Sequence, residues 1–175
     1  MDCCPVRDPC VRQSIQTDLK LIDYLHHLIT HLERFLLDTA RVHNPHALHL
    51  LQTIPGIGRT LSLVMLYEIH DINRFDRVQE FAFYARLVKC AKESAGKRYG
   101  CSGKKIGNRH LKWAFLEAAV MFLRGNPKGQ SYKRRLASKY GKSKALSILA
   151  HRLGRAVYYM LKRNQAFEVK RFMAA

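Results

Sequence analysis

The chain has 175 residues, 47% of them hydrophobic, and 31 Lys and Arg against 13 Asp and Glu give it a formal net charge of +18. This length and apolar content predict a globular fold with a sizeable core. No run of 18 apolar residues occurs, and the first ten residues lack the basic-then-apolar order of a secretory signal. We therefore expect a bacterial or archaeal cytoplasmic protein without a membrane partner.

The five cysteines argue against a disulfide framework, because their number is odd and their spacing is irregular. Cys3, Cys4 and Cys10 lack the CxxC pairs of a zinc site, so we expect reduced thiols. His27 and His31 lie one helical turn apart, but no third ligand accompanies them. The residues therefore predict no metal site in this chain.

The positive charge is confined to the second half of the chain. Residues 1–50 carry five Lys and Arg against six Asp and Glu, residues 51–80 carry three against four, and residues 81–175 carry 23 against three. Self-repulsion on this scale is costly unless a polyanion neutralises it, which favours a nucleic acid as the partner. A solvated basic surface is the alternative.

The first predicted element is a helix from Val11 to about Val42. Its apolar residues recur at steps of three and four, which is a heptad seam over two heptads. That pattern fits either a short coiled-coil arm or a helix packed on its own domain. The proline at position 45 disfavours helical geometry in the residue before it and ends the helix. The seam consists of Ile22, Leu25, Ile29, Leu32 and Leu36.

The second predicted element, over residues 50–69, is a helix, a tight glycine turn and a second helix. Gly56 and Gly58 let the chain turn sharply and expose backbone amides, and the positive end of the second helix can bind a phosphate. Ile57 is expected to be buried between them, and Arg59 to add a phosphate contact. This pattern resembles the helix-hairpin-helix motif of non-sequence-specific DNA-binding proteins. An ordinary tight helix-helix turn is the alternative.

Further helices are predicted over Val78–Leu87 and Arg109–Leu123, followed by a basic run over residues 128–144 and a long amphipathic helix from Leu146 to Leu161. No strand-type alternation stands out, so the predicted fold class is all-α. The opposite face of the last helix is basic and shows Arg152, Arg155, Lys162 and Arg163.

The stretch ESAGKRYGCSGKKIGNRH, residues 93–110, has four glycines, five basic residues and little apolar content, so it predicts a loop. In one interpretation the loop is a nucleic-acid clamp, with the amides of Gly96, Gly100 and Gly103 near a phosphate backbone. In the other, Ser94 or Ser102 is a nucleophile, which needs a base or a metal to take its proton. The spacing alone favours a solvated or capping serine. The basic residues of the clamp are Lys97, Arg98, Lys104, Lys105 and Arg109.

Several ordered blocks carry a family resemblance. The chain resembles the C-terminal transposase domain of the Piv/MooV-like insertion-sequence transposases, the IS one-ten family, over roughly residues 11–168. The blocks are IPGIG at 54–58, EIHDINRF at 68–75, FYARLV at 83–88, SAGK at 94–97, KIGNRHLK at 105–112 and LEAA at 116–119.

The resemblance implies a DNA recombinase that moves an insertion sequence or inverts a DNA segment, in some members guided by a structured RNA. It implies that Ser94 is a nucleophile that forms a covalent phosphoserine, and that residues 18–38 form a dimerising coiled-coil arm. It also implies a divalent metal, Mg²⁺, in an N-terminal RuvC-like domain. That domain is expected to be missing here, because Met1 directly precedes the arm. Asn108, in the KIGNRHLK block, joins the predicted nucleic-acid contacts.

The predicted organisation is a helical arm over residues 1–45, a helical transposase domain over 46–168 and a tail over 169–175. Within the domain lie the helix-hairpin-helix motif at 50–69, the basic Ser/Gly loop at 89–108 and a basic helical part at 109–168. The predicted function is that of a truncated transposase that binds DNA and potentially a guide RNA, forms a homodimer or higher oligomer, and depends on a RuvC-like domain for activity. A non-catalytic nucleic-acid-binding or dimerisation fragment is the alternative.

Overall fold

The structure, a computed structural model, describes the backbone of residues 8–88, 90–94, 97–102 and 106–174 and the side chains of residues 8–88 and 106–173. Contacts divide the chain into two compact units, Met1–Thr39 and Ala40–Ala175. The predominance of helices confirms the predicted all-α class. The described elements are α1 Pro9–His43, α2 Pro45–Gln52, α3 Arg59–Ile69, a 3-10 helix Ile72–Arg74, α4 Val78–Tyr84, β1 Cys90–Ser94, β2 Lys97–Ser102, α5 Arg109–Leu123, α6 Pro127–Tyr140, α7 Lys142–Arg163 and α8 Val169–Ala174.

Helix α1 confirms the first predicted helix and supplies residues 9–39 of the first unit. Its heptad seam lies in solvent: Ile22 is 60% exposed, Ile29 55% and Leu32 57%. Residues of this type are ordinarily buried, and an exposed apolar stripe of this length marks an interaction surface more often than a free one. Within the described residues these three side chains are more exposed than buried.

The core of the second unit forms around α5 and α7. The apolar positions of α5 recur at helical spacing, and Leu111, Phe115 and Phe122 are fully buried. Leu149, Leu153 and Val157 of α7 are buried as completely. Removing each such side chain from water stabilises the fold by about 1.5–3 kcal/mol, so this helix pair fixes the positions of the shorter helices around it.

Asparagine side chains cap the N-termini of three of these helices. The Oδ1 atom of Asn44 accepts a hydrogen bond from the Ala47 N–H at 3.2 Å, and that of Asn126 accepts one from the Gly129 N–H at 3.0 Å. A proline follows each of them at the first helical position, where its missing N–H costs nothing. The third cap, Asn108 of α5, belongs to the site described below.

The prediction of a loop over residues 89–108 is wrong for part of that stretch, where β1 and β2 form an antiparallel hairpin. Cys90 pairs with Ser102 and Ser94 with Lys97, with an irregularity between Lys92 and Glu93. The prediction rested on the lack of core-forming residues, which argues against a buried element. The two strands pair with each other through backbone hydrogen bonds, and such pairing does not require apolar alternation in the sequence.

The C-terminal residues assigned to a tail include α8. The Phe172 side chain is buried, with its ring 5.4 Å from that of Phe122 and 5.1 Å from that of Phe167, measured between centroids. The Phe167 N–H also donates a hydrogen bond to the Thr53 hydroxyl at 3.0 Å. These contacts fold the end of the chain back onto the helical core.

Candidate nucleic-acid interface

The glycine turn between α2 and α3 is packed directly on α5. Gly56 has φ +90°, in the left-handed region that favours glycine. A Cβ atom at this position would lie 2.5 Å from the Met121 carbonyl carbon and 2.6 Å from the Phe122 nitrogen. Ile57 is buried, as predicted. Gly56 is therefore required for close packing of the turn on α5, a structural role that the sequence did not indicate.

Gly58, two residues later, has a different role. It is the N-cap of α3 with φ −86°, and nothing lies within 4 Å of the position its Cβ would take. It has no side chain to cap the first-turn N–H groups of α3, which carry the positive end of the helix dipole. Arg59, the first residue of α3, is exposed beside it. This end of α3 is open to an anion.

The segment between α4 and α5, which contains the β-hairpin and is called the hairpin excursion below, has its two ends held together. The Asn108 N–H donates a hydrogen bond to the Tyr84 carbonyl at 2.6 Å, which joins the end of α4 to the start of α5. Gly107 has φ +90°, and a Cβ there would lie 2.7 Å from both the Tyr84 carbonyl oxygen and the Arg86 Cγ. Arg86 itself has φ +54°. The chain thus leaves and re-enters the helical core at one tightly packed point.

The Asn108 side chain organises this point. Its Oδ1 accepts hydrogen bonds from the N–H groups of His110 and Leu111, at 2.8 and 3.0 Å, and so caps α5. Its Nδ2 donates to Glu68 Oε2 at 2.5 Å and to the Tyr84 hydroxyl at 3.4 Å. These bonds use both acceptor sites and both donors of the amide. Asn108 therefore acts here as a structural cap, and its contact with nucleic acid remains a prediction.

Tyr84 lies at the edge of this network. The hydrogen bond from Asn108 lowers the pKa of the Tyr84 hydroxyl; burial opposes this effect, and Arg74 adds to it. The Arg74 guanidinium stacks 4.4 Å from the centroid of the Tyr84 ring. Glu68, Arg74 and Tyr84 were not among the predicted site residues, although all three lie in the sequence blocks that carry the resemblance.

The remaining predicted residues lie in or beside the hairpin. Ser94 ends β1, and Lys97 and Arg98 begin β2 opposite it. Only the backbone of these three residues is described, and Lys104 and Lys105 lie outside the described residues. Arg109, the first residue of α5, is exposed, with its Nε 3.5 Å from His110 Nε2.

The two predicted nucleic-acid-binding groups lie at opposite ends of α3 and α5. The glycine turn, just before α3, contacts Met121 and Phe122 in the last turn of α5. Glu68, in the last turn of α3, bonds to the N-cap of α5. The two helices are therefore antiparallel. Thirteen residues at 1.5 Å each separate Arg109 from Phe122, so the turn and the base of the hairpin are about 20 Å apart.

Among the described residues, no three His, Cys, Asp or Glu side chains come together in a way that could hold a metal ion. The described part of this chain thus does not fit the divalent metal that the resemblance implies. No helix in the same part is long and apolar enough to cross a membrane.

Comparison with known proteins places these features in one family. The family model described as the transposase IS116/IS110/IS902 family matches residues 48–134. That range includes the glycine turn, the hairpin and the Asn108 network. The chain is also similar to the insertion element IS110 uncharacterized 43.6 kDa protein of Streptomyces coelicolor, with 28% identity over 120 residues. The match covers 67% of this chain and 29% of that protein, so the chain spans about three tenths of the relative's length.

Proposed function

Because residues 48–134 form a transposase domain of the IS116/IS110/IS902 family, we propose that this chain is the DNA-binding, serine-bearing part of an insertion-sequence transposase. The observation that carries the proposal is the family match across both the glycine turn and the hairpin with Ser94. The family supports DNA as the partner, and we propose structured RNA as a second one. The site of action is the compartment that holds the DNA, which is the cytoplasm in a bacterium or archaeon.

Binding of nucleic acid is proposed to use both ends of the α3–α5 pair. The turn offers the open end of α3 and Arg59. The start of α5 offers Arg109, about 20 Å away, and the hairpin offers Lys97 and Arg98. At about 3.4 Å per base pair, a separation of about 20 Å corresponds to about six base pairs of duplex. The two groups would thus contact different phosphates of one DNA segment, positioning it without reading its sequence.

Salt dependence tests this mode of binding. With on the order of six phosphate contacts, affinity for duplex DNA falls about a thousandfold between 50 and 200 mM salt. Fluorescence anisotropy of a labelled duplex across that range measures the slope. A flat response would remove phosphate contacts as the source of affinity, and with them the proposed role of the basic residues.

In the proposed chemistry, Ser94 attacks a phosphodiester. Its Oγ bonds to phosphorus while the bond from phosphorus to one sugar oxygen breaks. The hydroxyl proton is given up during the attack, and the departing oxygen gains a proton to leave as a hydroxyl. Lys97, opposite Ser94 in the hairpin register, would stabilise the charge of the pentacoordinate phosphate. The divalent metal is proposed to come from residues outside the described part, and no step here depends on its geometry.

A covalent adduct on denaturing gels tests the role of Ser94. The chain is mixed with terminal DNA of an insertion element, Mg²⁺ and a second, full-length family member that supplies metal-binding groups. Ser94→Ala should abolish the adduct formed by this chain, whereas Ser102→Ala, at the matched position near the other end of the hairpin, should leave it. An adduct that persists in Ser94→Ala would remove Ser94 from the mechanism, and loss in Ser102→Ala alone would assign the nucleophile to Ser102.

We also propose that the heptad seam of α1 forms a dimer. Ile22, Leu25, Ile29 and Leu32 are exposed on one stripe, and pairing two copies would bury them as knobs in holes. Leu25→Asp should halve the mass measured by light scattering. Tyr24→Asp, at an exposed position one residue away from the seam, should not. This observation also favours the second candidate function, a non-catalytic dimerising fragment, which binds DNA as above but yields no adduct with any partner.

A further inference from the structure

A pocket of about 600 Å³ lies between α7 and the C-terminal segment, and all of its lining residues except Tyr132 lie outside the range that matches the family. One wall is a single stripe of α7, and the other is residues 165–172, with one tyrosine of α6 at the side. Its volume falls in the range of pockets that take small ligands. The lining includes Tyr132, His151, Arg155, Tyr159, Phe167 and Arg171.

The walls of the pocket are held in place before any ligand binds. The Arg152 guanidinium lies between two rings, 4.9 Å from the centroid of Tyr132 and 4.8 Å from that of Phe172, and it donates a hydrogen bond to the Phe172 carbonyl. Arg152 thus ties α6, α7 and α8 together. Asn164 ends α7 in the left-handed conformation, which turns the chain back over the helix. A preformed pocket binds its ligand at a lower entropic cost.

The charge of the pocket is strongly positive. Four arginines line it, and Glu168 is the one acid among the lining residues. Arg155 and Arg171 are exposed at its rim, and neither has a carboxylate partner among the described residues. Burial, with a smaller contribution from Arg155, lowers the pKa of His151, which favours its neutral form. The free positive charge therefore comes from the arginines, whose planar guanidinium groups match phosphate oxygens.

Aromatic side chains lie among these arginines. The Arg163 guanidinium stacks 5.0 Å from the centroid of the Tyr159 ring, and Tyr159 is 37% exposed. Phe167 and Tyr132 contribute further ring surface to the lining. Rings and guanidinium planes side by side are the surfaces on which unpaired bases stack. An acidic peptide would use the arginines but would leave the rings without a partner.

We infer that this pocket binds one nucleotide that is not base-paired, with its base stacked beside Tyr159 and its phosphate held by Arg155 and Arg171. Such a nucleotide is supplied either by an unpaired position in a nucleic-acid strand or by a free nucleoside monophosphate. The inference goes beyond the proposed function, because it uses neither Ser94 nor the α3–α5 pair.

Fluorescence anisotropy with two labelled probes tests it: a fully paired duplex, and the same duplex with one unpaired nucleotide. Tyr159→Ala and Arg155→Ala should each lower the affinity for the unpaired probe about tenfold more than that for the duplex, as expected when one stacked base or its phosphate contact is lost. Tyr140→Ala and Arg134→Ala are matched controls on α6, outside the pocket, and should affect both probes equally. All four side chains are at least partly exposed, so the variants should fold.

Competition identifies the source of the nucleotide. Displacement of the probe by a free nucleoside monophosphate, lost in Tyr159→Ala, supports the inference with a free nucleotide as ligand; displacement by a short single strand alone supports it with a strand as ligand. Equal losses for both probes in Tyr159→Ala and Arg155→Ala would overturn it in favour of a general basic surface. Displacement by poly-glutamate as effective as that by the single strand would overturn it in favour of an acidic peptide.

Discussion

Substituting Gly56 with alanine tests the packing of the glycine turn on α5. The added Cβ would lie 2.5 Å from a backbone carbon of Met121, where ordinary van der Waals contact begins at 3.4 Å, so the turn or α5 must shift by about an ångström. Overpacking of this kind costs about 1–3 kcal/mol. A non-glycine residue at φ +90° adds about 1–3 kcal/mol of backbone strain. We expect the free energy of unfolding to fall by about 2–6 kcal/mol.

Gly58→Ala is the matched control, because its φ of −86° suits any residue and its Cβ would meet nothing within 4 Å. Its free energy of unfolding should change by less than about 1 kcal/mol. Urea denaturation followed by circular dichroism measures both, and Gly56→Ala should also lower the melting temperature by on the order of 10 °C. Equal stabilities of the two variants would refute the close approach of the turn to α5.

Three further substitutions test other contacts. Asn108→Ala should lower the free energy of unfolding, measured by urea denaturation, by about 1–3 kcal/mol, because it removes a helix cap and also the hydrogen-bond donor to Glu68. Asn126→Ala removes only a cap and should lower it by less. Equal losses would contradict the role of Asn108 as a bridge between α3 and α5. Tyr158→Phe should lower the free energy of unfolding by about 1 kcal/mol in the same assay, because the Tyr158 hydroxyl donates to the carbonyls of Phe75 and Asp76. An unchanged free energy of unfolding would mean that these hydrogen bonds do not stabilise the fold. His151→Gln tests pH dependence: burial lowers the pKa of His151 below its ordinary 6.5, so protonation favours the unfolded chain, and stability is lost as the pH falls below that value. Between about pH 7.5 and pH 5 the variant should lose less stability than the natural chain, and an unchanged loss would assign the effect to other groups.

The helices could be predicted from the sequence because their signals are local. The recurrence of Leu111, Phe115 and Phe122 predicts both a helix and its buried face, and the structure confirms both. The proline at position 45 likewise predicts where the first helix ends, and α1 ends at His43. Periodicity and caps act within a few residues, so one sequence suffices to read them.

The arrangement of the site depends on contacts between distant residues, and these were not predictable. Gly56 was predicted to bind phosphate because glycine leaves its backbone N–H accessible. In the structure, Met121, 65 positions away in the chain, lies so close that position 56 has no room for a Cβ atom. Asn108 reaches Glu68, 40 positions away. The pocket beside Tyr159 was missed for the same reason, since it exists only when the C-terminal segment folds back over α7.

The closed base of the hairpin excursion bears on how such proteins can diverge. The bond between the Asn108 N–H and the Tyr84 carbonyl fixes both ends of the excursion at one place on the helical core. Lengthening a segment whose ends are already held together costs only about 0.6 kcal/mol for each doubling. The segment can therefore change in length and sequence between relatives while the helical core stays unchanged.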